Sequence, residues 1–130
     1  MTLPATQGSY PYPNEPTWSR SERIIARTVF DAALQRELLE VMQETKQRAN
    51  QINTPADLWA LERYLAEQRK DIDRKYDFRS SRLTRVFGRL LSDRRVSEEE
   101  LRGLHEDKLE AIRSCARVLQ NLGDTKCLEN

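Results

Sequence analysis

The sequence predicts an all-α protein with three main helices, a long antiparallel stalk and a small helical head, paired as a homodimer. Three observations carry that expectation. The 130 residues are 33% charged and hold only four glycines, a profile rich in Leu, Arg, Glu and Ala that favours long helices over sheets. Apolar residues recur at intervals of three and four in three successive stretches. A helix-start signature precedes each stretch: "SRSE" at 19–22, "TPAD" at 54–57 and "SEEE" at 97–100.

Residues 1–18, "MTLPATQGSYPYPNEPTW", contain four of the five prolines and no periodicity, so they read as a disordered arm carrying Tyr10 and Tyr12. Ser19 then caps a first helix over 19–52, with Glu22 reaching back to complete the box. Its stripe is Phe30, Leu34, Leu38, Val41, Thr45, Ala49 and Ile52, and "INTP" ends it. Thr54 caps the second helix, Pro55 suits its first position, and Asp57 favours the positive end of the helix dipole. Leu58, Leu61, Leu65, Ile72, Tyr76, Leu83 and Leu90 follow one stripe, and no Gly or Pro intervenes before Gly88, so this helix is expected over 55–91. Ser97 and Glu100 open a third helix over 97–122, with Leu101, Leu104, Leu109, Ile112, Ala116 and Leu119 on its face. Gly123 is its expected stop, and 124–130 form a polar tail.

Length argues for pairing. A helix over 55–91 would span ~55 Å, whereas a compact domain of this size has a radius of gyration of only ~14 Å. The other two helices cannot cover so long a stripe, and a second copy is the simplest cover. Leu58, Leu61, Leu65 and Ile72 are the expected dimer interface.

Several function classes are disfavoured. A net charge of +1 gives no general attraction to nucleic acid or membrane. No apolar run approaches the ~20 residues of a membrane span, and the N-terminus shows no secretory pattern, so a cytoplasmic location is the default. Cys115 and Cys127 are twelve apart and the sole histidine, His105, lies between Leu101 and Leu109, where a structural role is expected. These residues make no ordinary zinc site and no Ser-His or Cys-His pair, so neither metal, cofactor nor enzymatic activity is expected. The acidic clusters sit at helix starts, where caps and dipoles account for them.

Trp59 raises the question of a surface. On the helical wheel it lies roughly 130° from the centre of the apolar stripe, among Glu62, Arg63 and Ala66, with Arg69 at the stripe's edge. Such a tryptophan either packs against the first helix or its dimer mate, or heads a recognition patch, since Trp and Arg dominate binding hot spots. Residues 63–95 also carry eleven Lys or Arg against five acids, with Arg82, Arg85 and Arg89 on one face, while 96–110 carry six acids against two bases. A head held partly by its own opposite charges explains this pattern; a basic helical nucleic-acid binder is the third alternative, without any of that class's motifs.

"DLWALERYLAEQRKDIDRKYDFR" resembles the central helix of the fluorescence recovery protein family of cyanobacteria. Leu58-Trp59, then Arg69, then Ile72-Asp73-Arg74-Lys75-Tyr76-Asp77-Phe78-Arg79 carry the likeness. "LQRELLE" upstream and "VFGRLL" with "EEL" and "DK" downstream extend it over about residues 18–119. The resemblance implies an all-helical homodimer that is not an enzyme. It implies binding to the C-terminal domain of the photoactivated orange carotenoid protein, acceleration of its red-to-orange reversion and an end to non-photochemical quenching. A place peripheral to the thylakoid surface is implied with it. Trp59 and Arg69 then match the family's functional surface, and Phe87 and Lys108 match head positions that help engage the partner. Glu62-Arg63 stand where the family pattern has a His-Asp pair, which reverses the local field, and Arg85 stands where a head aromatic is usual. The alternative is a related dimeric interaction protein with a different partner.

Overall fold

The computed structural model describes residues 17–129, with side chains through Leu122; most of the expected arm, residues 1–16 with Tyr10 and Tyr12, and the Cys127 side chain lie outside the described residues. Four helices follow one another: α1 Arg20–Asn50, α2 Pro55–Lys75, α3 Leu83–Ser92 and α4 Glu106–Glu129. Among the described residues there is no strand, and no helix is long and apolar enough to cross a membrane.

Both expected caps on the stalk are formed. The Ser19 hydroxyl accepts from the Glu22 N–H while Glu22 Oε1 accepts from the Ser19 N–H, at 3.2 and 3.0 Å. Thr54 and Asp57 exchange the same pair of bonds at the head of α2, with Pro55 in its first turn.

The expected helix over 55–91 is broken. It ends at Lys75, an extended stretch and a turn occupy 76–82, and α3 begins at Leu83. The break lets two aromatic rings turn onto α1. Tyr76 and Phe78 both meet Phe30 edge-on, with centroids 5.3 and 5.1 Å away. The Tyr76 hydroxyl donates to Glu37 Oε1 at 2.8 Å, and Lys75 Nζ donates to Glu37 Oε2 at 2.7 Å. Packing two aromatic rings and satisfying a buried carboxylate outweighs the few helical hydrogen bonds given up. The longest rod is therefore α1, about 46 Å at 1.5 Å per residue.

The third expected helix, 97–122, is also revised at both ends. Ser97 and Glu100 do form their box, but it heads a tight turn whose N–H groups bond three residues back, as from Glu100 to Ser97 and Leu101 to Glu98. Gly103, at φ +105°, stops that turn, and the helix restarts at Glu106. The positive φ is what calls for glycine here; a Cβ would also lie 2.8 Å from Ile25 Cδ1, but that is the end of a flexible side chain that can move aside. Gly103→Ala is expected to lower stability by about 1–3 kcal/mol, read as a drop in urea midpoint at unchanged m-value. At the other end α4 continues through Gly123 to Glu129 instead of giving way to a tail. A lone glycine costs a helix only about 1 kcal/mol and does not by itself end it.

The core sits at one end of the molecule. Ala26, Val29, Phe30 and Ala33 of α1 pack with Leu83, Val86, Phe87 and Leu90 of α3, with Val96, Leu101 and Leu104 of the turn, and with Ile112 of α4. Trp18, read from sequence as the end of the arm, belongs to this core: it is buried, with its ring 6.2 Å from that of Phe87. At the crossing of α3 and α4, a Cβ on Gly88 would lie 2.6 Å from Cys115 Cβ, which is how closely the two helices meet.

Every buried residue of α1 lies between Glu22 and Glu37, and α2 has none. The chain thus has a packed head, and a stalk formed by the distal half of α1 and all of α2 that is not sealed by its own residues.

Candidate functional site

The stalk displays Trp59. Thr54 and Pro55 fix where α2 begins, and four residues after Pro55 comes Trp59, 55% exposed. Leu58, at 45%, and Leu65 are exposed, while Leu61 and Ile72 are half-buried. Glu62, Arg63 and Arg69 are exposed on the same helix, and none of the three engages an ion-pair partner among the described residues. The helix therefore presents an indole, three free charges and a row of leucines. The wheel placed the indole beside the stripe, and the structure leaves both open.

Tyr64, on the side of α2 facing α1, is crossed by the Arg48 guanidinium at 4.1 Å from its ring centre, which ties the distal ends of the two stalk helices together. This contact was not foreseen, because cross-helix register is not visible in either helix alone.

The head residues matched by resemblance lie inside. Phe87 is fully buried against Trp18, and Lys108 is only 3% exposed. Lys108 Nζ lies 3.1 Å from Glu22 Oε1 and 3.1 Å from Asp107 Oδ2. In this structure neither residue offers a surface contact, and both hold the head in shape.

Glu22 is the centre of that arrangement, at 1% exposure. Besides closing the Ser19 box it accepts the His105 N–H at 2.9 Å, so one carboxylate caps the start of α1 and bonds the loop before α4, 83 residues away. Burial raises its pKa, but the backbone bonds from Ser19 and His105 and the Lys108 ammonium outweigh this and lower it to about 2. Lys108 is pulled down by burial and held above its usual value by Glu22 and Asp107. His105 is exposed, contributing its backbone N–H to the capping network. Ligand atoms of Glu22, His105 and Asp107 lie within 4.8 Å of one another, but the Lys108 ammonium already supplies the positive charge there.

A second buried carboxylate, Glu37, anchors the junction of stalk and head. Its pKa is raised by burial and lowered further by Lys75, Tyr76 and Arg95, for a net downward shift. Burial and the adjacent Glu37 push the Tyr76 phenol up, so it remains a donor. Arg36 completes the junction by reaching the Arg95 carbonyl at 2.9 Å and Glu100 at 2.6 Å.

These side chains compose no nucleophile–base pair: the buried ones are fixed by ion pairs, and the free ones are surface charges beside an indole.

Comparison with known proteins gives a consistent result. The family model described as "Photoprotection regulator fluorescence recovery protein" matches residues 18–116. The fluorescence recovery protein of Synechocystis sp. is 39% identical over 104 residues, which cover 80% of this chain and 95% of that protein. The solved structure of the Fremyella diplosiphon fluorescence recovery protein superposes with a TM-score of 0.74 at 37% identity, over 78% of this chain and 99% of that one. The Synechocystis structure gives the same TM-score and coverage at 40% identity. The matched segment begins at Trp18, where the core begins.

Proposed function

The chain belongs to the fluorescence recovery protein family, whose members are non-enzymatic photoprotection regulators, and from that premise we propose that it acts on the orange carotenoid protein. It binds the C-terminal domain of the photoactivated form and speeds red-to-orange reversion, ending non-photochemical quenching. The observation that supports this best is the Trp59 surface: an exposed indole with unpaired Glu62, Arg63 and Arg69 around it, on a helix with no fully buried residue. A regulator of this kind shifts a conformational balance by binding one state or the transition state more tightly, and needs no covalent chemistry.

We also propose that the active form is a homodimer paired through Leu58, Leu61, Leu65 and Ile72. The exposure of Leu58 and Leu65, and the absence of any fully buried residue in α2, support this. A symmetric pair displays the Trp59 surface twice.

The test is absorbance recovery. Purified protein added to illuminated orange carotenoid protein should hasten the loss of red absorbance, and Trp59→Ala should reduce that effect by more than about tenfold, the scale of a hot-spot residue. The variant should melt as the parent does, because Trp59 is exposed. A rate that stays flat at micromolar wild-type protein overturns the reading and favours a relative with a different partner, a reading motivated by Glu62-Arg63 in place of the His-Asp pair.

A further inference from the structure

A cleft of about 530 Å³ opens where the C-terminal turns of α2 meet α3 and α4. Its apolar wall is Val86, Val118 and Leu119, with Cys115 beside them. Five cations and three carboxylates also line it. The charges are unevenly satisfied. Lys75 is bonded to Glu37, Arg89 to Asp93, and Asp77 to Arg79. Arg74, Arg82 and Arg85 have no ion-pair partner among the described residues and are exposed, against one unpaired carboxylate, Asp71. Val118, on the α4 side, is 58% exposed, so the apolar wall is open as well.

We propose that this cleft is a second docking site that takes an acidic amphipathic segment of the partner polypeptide. The inference rests on the partner-binding role proposed above and names the chemistry of one part of the partner's surface. Charge complementarity selects the occupant. Guanidinium groups recognise carboxylates through paired N–H donors, and three of them at the rim of an apolar wall suit a helix with leucines on one face and glutamates beside it. The cleft is distinct from the Trp59 surface: Gln68 and Asp71, which line it, lie on the opposite flank of the α2 stripe from Trp59. Two contact points on one protomer would hold the partner in a single orientation, and the basic one would also steer its approach.

The probe is a fluorescein-labelled helical peptide with leucine at i, i+3, i+4 and i+7 and glutamate elsewhere, compared with a twin carrying glutamine for glutamate. Anisotropy at low salt should show saturable binding of the acidic peptide, weakening as salt rises, and at least about tenfold weaker binding of the glutamine twin. Arg82→Glu with Arg85→Glu should lower affinity for the acidic peptide more than about tenfold, Arg85→Gln less, and Trp59→Ala not at all. All three side chains are exposed, so circular-dichroism melts should be unchanged. Equal binding of the two peptides, or indifference to the charge reversal, overturns the proposal. A change in light-scattering mass on charge reversal also overturns it, because the cleft would then belong to self-association. Absorbance recovery is measured on the same samples. Acceleration by the wild type without peptide binding defeats the cleft alone; salt-sensitive peptide binding without acceleration defeats the carotenoid-protein reading and leaves the cleft standing.

Discussion

Glu22→Ala is expected to destabilise the head by about 3–5 kcal/mol, the usual cost of removing one member of a buried ion pair. For a chain of this length that lowers the melting temperature by roughly 10 °C or more. Three losses coincide. Lys108, at 3% exposure, keeps its charge with only Asp107 beside it. The His105 N–H loses its acceptor, and the Ser19 cap loses the reciprocal half of its box. A Glu22→Gln, Lys108→Met double variant should recover most of the stability, since replacing both charges removes the uncompensated one. The same pair makes the head sensitive to acid. Glu22 has its pKa lowered to about 2 from a reference of 4.5, so its contribution is complete above about pH 4.5 and is lost as pH falls toward 2. Melting temperature should therefore fall across that window in the parent and fall less in Glu22→Gln. A parent and variant with parallel pH profiles, or an Ala variant that melts within a degree of the parent, would show that the network is not holding the head.

This result bears on how Lys108 is tested. Its resemblance to a partner-engaging position suggests a surface contact, yet the ammonium is inside, bonded to Glu22. Any loss of regulation in Lys108→Ala must therefore be read beside its melting temperature, and a loss that the double variant restores is structural.

The places where sequence reasoning succeeded share a physical character with each other, as do those where it missed. Ser19–Glu22 and Thr54–Asp57 were legible because a cap and its reciprocal acid are three residues apart, a purely local relation. The wheel set Trp59 apart from the apolar stripe for the same reason, but left open whether it packs on α1 or faces outward; in the single chain it is exposed. The interruption at 76–82 was hidden because no Pro or Gly marks it: Tyr76 and Phe78 leave the helix to meet Phe30, almost fifty residues earlier. Only tertiary packing decides between continuing that helix and breaking it. The Ser97–Glu100 box was recognised correctly but assigned to the wrong element, because the turn it heads is cut short by Gly103 under Ile25. Trp18 went unassigned to the core for a like reason: it follows a proline-rich stretch, and its partner Phe87 lies on another helix. The Glu22 network, which joins residues 19, 105 and 108, has no signature within any window of sequence. In the candidate site, Phe87 and Lys108 lie inside the head, a placement that no pattern within their own helices marks.

Leu58→Glu should convert the particle from two chains to one by light scattering while leaving the head folded. The leucine is 45% exposed in the single chain, so a glutamate there costs the monomer almost nothing. In a two-fold pair the change is made twice. Each copy forfeits the roughly 1.5–3 kcal/mol gained by burying a leucine, and each carries a carboxylate that must lose water or be held apart from the seam. The combined cost of several kcal/mol is enough to raise the dimer dissociation constant about a thousandfold or more. The core that holds the head begins at Trp18 and draws on α1 only as far as Ala33, so the head does not depend on Leu58. Near-ultraviolet signal from Trp18 should accordingly persist in the variant, whereas the stalk, with no buried residue in α2 and its covering copy gone, should lose helicity in the far ultraviolet. Leu58→Met, which keeps the apolar surface, should remain paired. An unchanged mass for the glutamate variant would show that the leucine row is not the seam and that the exposed face of α2 serves some other contact.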